Sequence, residues 1–240
     1  MLICPPPGTG VLAQVIFGHP ASGGQTTFFD EATALAKIGV RSWLLDFDFE
    51  RNEKDPANLS NPQREIEFRK KCLLKIQEAS ILLGDRAPQI YIGKNFGAFV
   101  GGMAASAENK ISRYILIAGL PDLTNFYVSS DHPVALNART GVSKDLLKKY
   151  SERTHIWNPT QLLPFGKNTE TFFQFGDRDP WIPRETANQF IYAAKGPKTI
   201  KFYDDDHDLN CEQARLDRVN FIQSSCLPFE RGVSLSHEKQ

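Results

Sequence analysis

Short β-branched apolar runs alternate with longer stretches in which apolar residues recur at helical spacing, and the alternation holds through most of the chain. The runs at 11–17, 40–47, 89–93, 114–118, 171–175 and 199–203 predict buried strands. The stretches at 27–37, 62–83, 96–107, 184–194 and 209–224 predict helices. Some boundaries carry their own chemistry: Gly39 stops the first helix, and Asn61-Pro62 supplies a cap and a first-turn proline for the second. In that second helix Ile66, Leu73, Leu74, Ile76, Ile81 and Leu83 fall largely on one broad face. Gly101 and Gly102 weaken an isolated helix but permit close packing on a sheet.

Strands separated by helices imply an α/β class, with a mainly parallel sheet of about six strands and helices on both faces. Right-handed crossovers then gather the loops after the strands along one edge, where such folds place ligands. The interval 121–167 breaks the alternation, with Asp131-His132-Pro133, an amphipathic piece over 144–150 and Trp157-Asn158-Pro159. It predicts a small lid over 122–167 within one domain spanning 1–228. The polar stretch 50–61 reads as a loop, and the tail 229–240 as polar and frayed.

Composition narrows the picture by exclusion. The 240 residues carry 28 Lys+Arg against 28 Asp+Glu, a balance that argues against a dedicated nucleic-acid partner. Cys4, Cys72, Cys211 and Cys226 are scattered without metal-ligand spacing and read as free thiols. No basic start with a long apolar core marks a signal peptide, and no apolar run approaches the roughly 20 residues that span a bilayer. A cytoplasmic protein without a membrane partner is expected; oligomeric state is not legible. Gly8-Thr9-Gly10 and Ser22-Gly23-Gly24 match neither a phosphate loop nor a dinucleotide fingerprint, and Asp204 to Asp208 lacks the spacing of a calcium loop. No cofactor and no metal is expected.

Three loops, each just after a predicted strand, carry the candidate chemistry. The first is Gly93-Lys94-Asn95-Phe96-Gly97, a strand running through Gly-x-Asn-x-Gly into a small-residue helix. The second is Gly176-Asp177-Arg178-Asp179-Pro180-Trp181-Ile182-Pro183, and the third Asp204-Asp205-Asp206-His207-Asp208. Together with Phe17-Gly18-His19-Pro20, their order and spacing resemble the α/β-hydrolase superfamily, particularly its compact dienelactone-hydrolase-like members, over roughly residues 11 to 225. The resemblance implies the α/β-hydrolase fold, Asp179 as the acid (with Asp177 its local competitor) and His207 as the base. It also implies main-chain N–H groups of His19 and Phe96 as oxyanion donors, and Asn95 at the nucleophile position of the elbow.

A carboxamide has no nucleophilic oxygen comparable to an activated hydroxyl. The expected enzyme therefore acts on a small, largely uncharged ester, lactone or related carbonyl substrate with a His–Asp general base. It works by water attack or proton-transfer and cyclisation chemistry rather than through a serine acyl-enzyme. Two alternatives stand beside it: a catalytically silent binding protein that keeps the pocket, and a hydrolase inactivated by asparagine introduced at its nucleophile. Phe28, Phe29, Phe126, Trp157 and Trp181 are either substrate-facing aromatics or core, and His132, His155 and His237 read as structural or surface residues.

Overall fold

The computed structural model describes residues 1–49, 59–107 and 109–226. The tail 229–240, His237 and most of the 50–61 loop lie outside these residues.

Among the described residues seven strands form one sheet: β1 (Leu2–Ile3), β2 (Ala13–Gly18), β3 (Val40–Leu44), β4 (Gln89–Lys94), β5 (Ile111–Ile117), β6 (Glu170–Gly176) and β7 (Lys198–Tyr203). Their order is β1-β3-β2-β4-β5-β6-β7. All neighbours are parallel except β1, which pairs antiparallel with β3 through Leu2↔Trp43 and Ile3↔Ser42. This short edge strand is the one the sequence pattern does not predict; two residues are too few to show alternation. Central strands are buried on both faces, as the continuous apolar runs require: every residue of β2 is buried. Each fully buried Ile or Phe there contributes about 1.5–3 kcal/mol.

The helices are α1 (Phe29–Ala36), α2 (Pro62–Leu83), α3 (Phe96–Ala105), α4 (Leu123–Ser129), α5 (Pro133–Arg139), α6 (Lys144–Thr154), α7 (Pro159–Leu162), α8 (Arg184–Ala193) and α9 (Glu212–Ser224). The predicted first helix is divided, with a 3-10 turn over Gln25–Phe28 preceding α1. The bounds of α2 agree with the prediction because its ends are chemically marked. The Asn61 side chain accepts the Arg64 N–H, Pro62 opens the first turn, and Gly84 ends the helix at φ +69°.

Its buried face is the predicted one only in part: Ile66, Ile76 and Leu83 are buried and Leu73 packs on the core, but two of the expected positions are not buried. Leu74 and Ile81 are exposed, while Ile66, Arg69, Cys72, Ile76, Ala79 and Leu83 face inward. Arg69 is fully buried, its two terminal nitrogens bonded by neighbours while its Nε has no partner among the described residues. Its guanidinium pairs with Glu65, donates to Thr154 O (3.4 Å), Trp157 O (3.2 Å) and Asn158 Oδ1 (3.3 Å), and lies over the Phe99 ring. Through this cation the helices between β5 and β6 dock on α2. Hydrophobic counting misses the arginine in such a stripe because it ranks an ion-paired guanidinium as surface.

The chain reverses direction across the sheet between β2 and β4, with β3 on one side and β5 on the other. Loops leaving β2 and β4 therefore diverge at a switch point and leave a crevice between them, the usual ligand position in a parallel sheet.

Candidate active site

The elbow after β4 is built by close backbone approach. A Cβ on Gly97 would stand 2.0 Å from Gly18 O, and one on Gly93 would stand 2.3 Å from Gly97 O. Only glycine lets α3 start this tightly against β2, and the Tyr91 hydroxyl locks it by donating to Gly97 O (2.7 Å). Asn95, at the apex, has φ 54° and ψ −114°, a conformation that costs a non-glycine residue about 1–3 kcal/mol. Its N–H donates to Ile117 O (2.9 Å), anchoring the turn to the neighbouring strand.

Two further loops meet at the same edge of the sheet. A Cβ on Gly176 would stand 2.4 Å from Asp206 O, so the ends of β6 and β7 are pressed together. Backbone bonds from Asp177 N to Tyr203 O (2.8 Å) and from Arg178 N to Asp205 O (3.0 Å) hold them there. The acidic run closes its own turn: Asp205 accepts the Cys211 N–H (2.8 Å), and Asp206 accepts the Asp208 N–H (2.9 Å). The Cys211 N–H holds the Asp205 carboxyl below the ordinary carboxylate range. Of the two candidate acids, Asp177 is exposed and paired with Arg184. Asp179 has no exposed side-chain surface and accepts the Trp181 and Ile182 N–H groups at 2.8 and 3.1 Å on Oδ1.

Asn95, His207 and Asp179 are thereby joined. His207 Nδ1 lies 2.8 Å from Asp179 Oδ2, and His207 Nε2 lies 2.8 Å from Asn95 Nδ2. The carboxylate accepts, so Nδ1 carries the proton in the neutral ring. Nε2 then accepts the Asn95 amide N–H, and this assigns the amide orientation. The imidazole is oriented from one side by a buried carboxylate and presents its basic nitrogen to the elbow, an arrangement able to take and return a proton. An ion pair between Lys94 and Asp208 (3.1 Å) runs beside this chain, joining the residues next to Asn95 and His207. Sequence reasoning missed it, since a lysine before the apex has no signature of its own.

The two predicted oxyanion donors flank the crevice. Among the described residues, neither the His19 N–H nor the Phe96 N–H donates to an acceptor of the protein. The His19 ring is buried and structural. Its Nδ1–H donates to Pro20 O (2.8 Å) and its Nε2 accepts the Phe47 N–H (3.0 Å), which ties the loop after β2 to the one after β3. Of the five aromatics, Trp181 contacts the His207 ring at a centroid distance of 5.8 Å, and Phe126 stacks behind Trp181. Phe28 packs on Phe17 in the core, Phe29 is exposed, and Trp157 lies beneath Lys70. His132 caps α5 and its ring packs on that of Trp181 (4.0 Å), while His155 bonds back to its own helix.

A cavity of about 300 Å3 opens beside Trp181, lined also by Asp122, Phe126, His132 and Gln189; burial pushes the Asp122 carboxyl up. A second, of about 410 Å3, lies at the opposite edge of the sheet around Gln89 and Ser112. Neither is lined by Asn95 or His207. Among the described residues no three His, Cys, Asp or Glu side chains converge as metal ligands, and no helix is long and apolar enough to cross a membrane.

Sheet order, crossovers and the placement of the three loops define an α/β-hydrolase fold. Among solved structures the chain is similar to an acetyl xylan esterase from Paenibacillus sp. R4 (TM-score 0.76, 15% identity, 93% of this chain and 78% of that one). It is also similar to acetyl xylan esterase 1 from Thermoanaerobacterium sp. JW/SL YS485 (TM-score 0.72, 12% identity, 92% and 77%). A third similar structure is Est1E from Butyrivibrio proteoclasticus with ferulic acid bound (TM-score 0.68, 14% identity, 94% of each chain). No family model and no curated sequence matches the chain.

Proposed function

We propose that this protein hydrolyses a small, largely uncharged ester or lactone, with His207 and Asp179 as the general base and water as the nucleophile. The observation that carries the reading is the pair of 2.8 Å bonds that orients the imidazole between a buried carboxylate and the elbow. Asn95 takes the nucleophile position of a compact dienelactone-hydrolase-like site and acts there as a hydrogen-bond donor. When substrate enters, water replaces the Asn95 amide at Nε2, loses its proton to His207 and attacks the carbonyl carbon. The main-chain N–H groups of His19 and Phe96 receive the developing oxyanion, and His207 returns the proton to the leaving alcohol. Esterases among the structures of similar fold support this choice of substrate class. The cavity beside Trp181 is the volume open to the substrate's remote portion.

A ligand-binding role without turnover is the second reading. The same geometry favours it, because the Asn95 amide already fills the lone pair of His207 Nε2. A panel of short acyl esters and lactones separates the two, measured on the wild type, His207→Ala and Asn95→Ser. Under the first reading His207→Ala lowers kcat by about 10²–10⁴, and Asn95→Ser restores a burst of acyl-enzyme. Absence of turnover across the panel in the wild type, with His207→Ala indistinguishable from it, refutes the enzymatic reading.

A further inference from the structure

We propose that the protein hydrolyses its own Asn95 side-chain amide, converting position 95 to aspartate with His207 as the proton carrier. The inference rests on His207 and Asp179 acting as an acid–base pair, as in the reading above, and concerns a different bond. The group held at the imidazole Nε2 is itself a carboxamide. Its nitrogen, the atom that must leave in amide hydrolysis, stands 2.8 Å from Nε2, where a protonated imidazole donates to a leaving amine. Asp179 fixes the ring from behind through Oδ2 while its other oxygen is held by two backbone N–H groups, so the imidazole points at that nitrogen. At the apex, with φ 54°, the amide makes no capping bond into α3 and meets His207 instead. The first-turn N–H of Phe96 beside it has no acceptor among the described residues and is free for the amide oxygen as charge develops there.

The step balances without a redox partner. The Asn95 N–H releases the Nε2 lone pair, and a water oxygen bonds to Cγ of Asn95 as its proton passes to His207 Nε2, leaving a tetrahedral centre with negative charge on the former amide oxygen. Nε2–H then protonates Nδ2, the Cγ–Nδ2 bond breaks, ammonia departs, and the resulting carboxyl ionises by giving its proton to the departing base. An amide with no nucleophilic oxygen becomes a carboxylate at the apex of the elbow, able to attack an electrophilic carbon.

Peptide mapping by mass spectrometry of the full chain, incubated in heavy-oxygen water, tests the proposal. The exposed Asn137 and Asn168 serve as internal clocks for uncatalysed deamidation. Expected is aspartate at position 95, either already present on isolation or gaining one heavy oxygen well ahead of both clocks, and free of isoaspartate. His207→Gln and Asp179→Asn slow the conversion, the former about 100-fold or more. Circular dichroism confirms that the variants are folded. If neither variant folds, the wild-type rate against the two clocks and the absence of isoaspartate still decide. An Asn95 amide that survives as long as Asn137 and Asn168 overturns the inference. So does a mixture rich in isoaspartate, which reports attack by the backbone nitrogen of Phe96 instead of water. Ester turnover with Asn95 intact removes this inference and keeps the proposed function; conversion without ester turnover does the reverse.

Discussion

Replacing Asp179 by asparagine inverts the polarity of the whole hydrogen-bond chain, and the structure shows how. The carboxylate accepts three bonds: from Trp181 and Ile182 N–H on Oδ1 and from His207 Nδ1–H on Oδ2. Asparagine fits the same volume and keeps its oxygen under the two backbone donors, which turns its NH2 toward His207. Nδ1 must then accept, and the ring proton moves to Nε2. There, 2.8 Å away, the Asn95 amide is also a donor. Two donors cannot share that distance, so the Asn95 amide turns over and offers its oxygen.

A charge-assisted bond worth about 1.5–3 kcal/mol becomes a neutral one of about 1 kcal/mol, so stability falls by about 0.5–2 kcal/mol. The effect on chemistry is far larger, because Nε2 no longer carries a lone pair. Hydrolytic turnover falls about 10⁴-fold, as in other sites where the orienting acid is neutralised. Nitrogen-15 NMR of the labelled imidazole, recorded where the ring is neutral, reads the tautomer directly. Nε2 is the bare nitrogen in the wild type and Nδ1 in Asp179→Asn. A variant that keeps its proton on Nδ1, or a wild type that carries it on Nε2, refutes the reasoning whatever the activity shows.

Three other outcomes follow from packing and charge. Gly97→Ala drives a methyl group to within 2.0 Å of Gly18 O, which forces the elbow off β2; it costs about 3 kcal/mol and lowers Tm by about 6–12 °C in a thermal melt. Arg69→Ala leaves the buried groups around the guanidinium without their cation and costs about 3–5 kcal/mol by urea unfolding, whereas Arg69→Met retains contact with Phe99 and loses less. Cys72 is fully buried and its thiol is pushed up to about 12 by burial, so at mildly alkaline pH a thiol-reactive dye labels exposed Cys4 in the folded protein and Cys72 only after unfolding; equal labelling rates contradict the packing of α2.

Much of the architecture was legible along the chain because its signals are local. The cap and proline at Asn61-Pro62 and the runs of β2, β4 and β6 are set by residues within a few positions of one another. Those same residues are the ones that the structure places in helix ends and strands. The place of Arg69 in the α2 stripe was not legible, because a guanidinium is buried only when a carboxylate and the carbonyls of Thr154 and Trp157 meet it. Nor was β1, whose two residues gain their conformation from pairing with β3.

The site divides the same way. By itself the sequence determined that an asparagine stands between two glycines where a strand passes into a helix, and that acid-rich loops with a histidine follow two later strands. Only the tertiary structure decided that Asp179 rather than Asp177 meets His207, that the His19 ring is consumed by backbone groups, and that the Asn95 amide points its nitrogen at the imidazole. The reason is distance along the chain. Asn95 and His207 are 112 residues apart, and no local preference spans that gap. Strand order carries them to one sheet edge, and backbone contact at Gly97 and Gly176 presses their loops within hydrogen-bond reach.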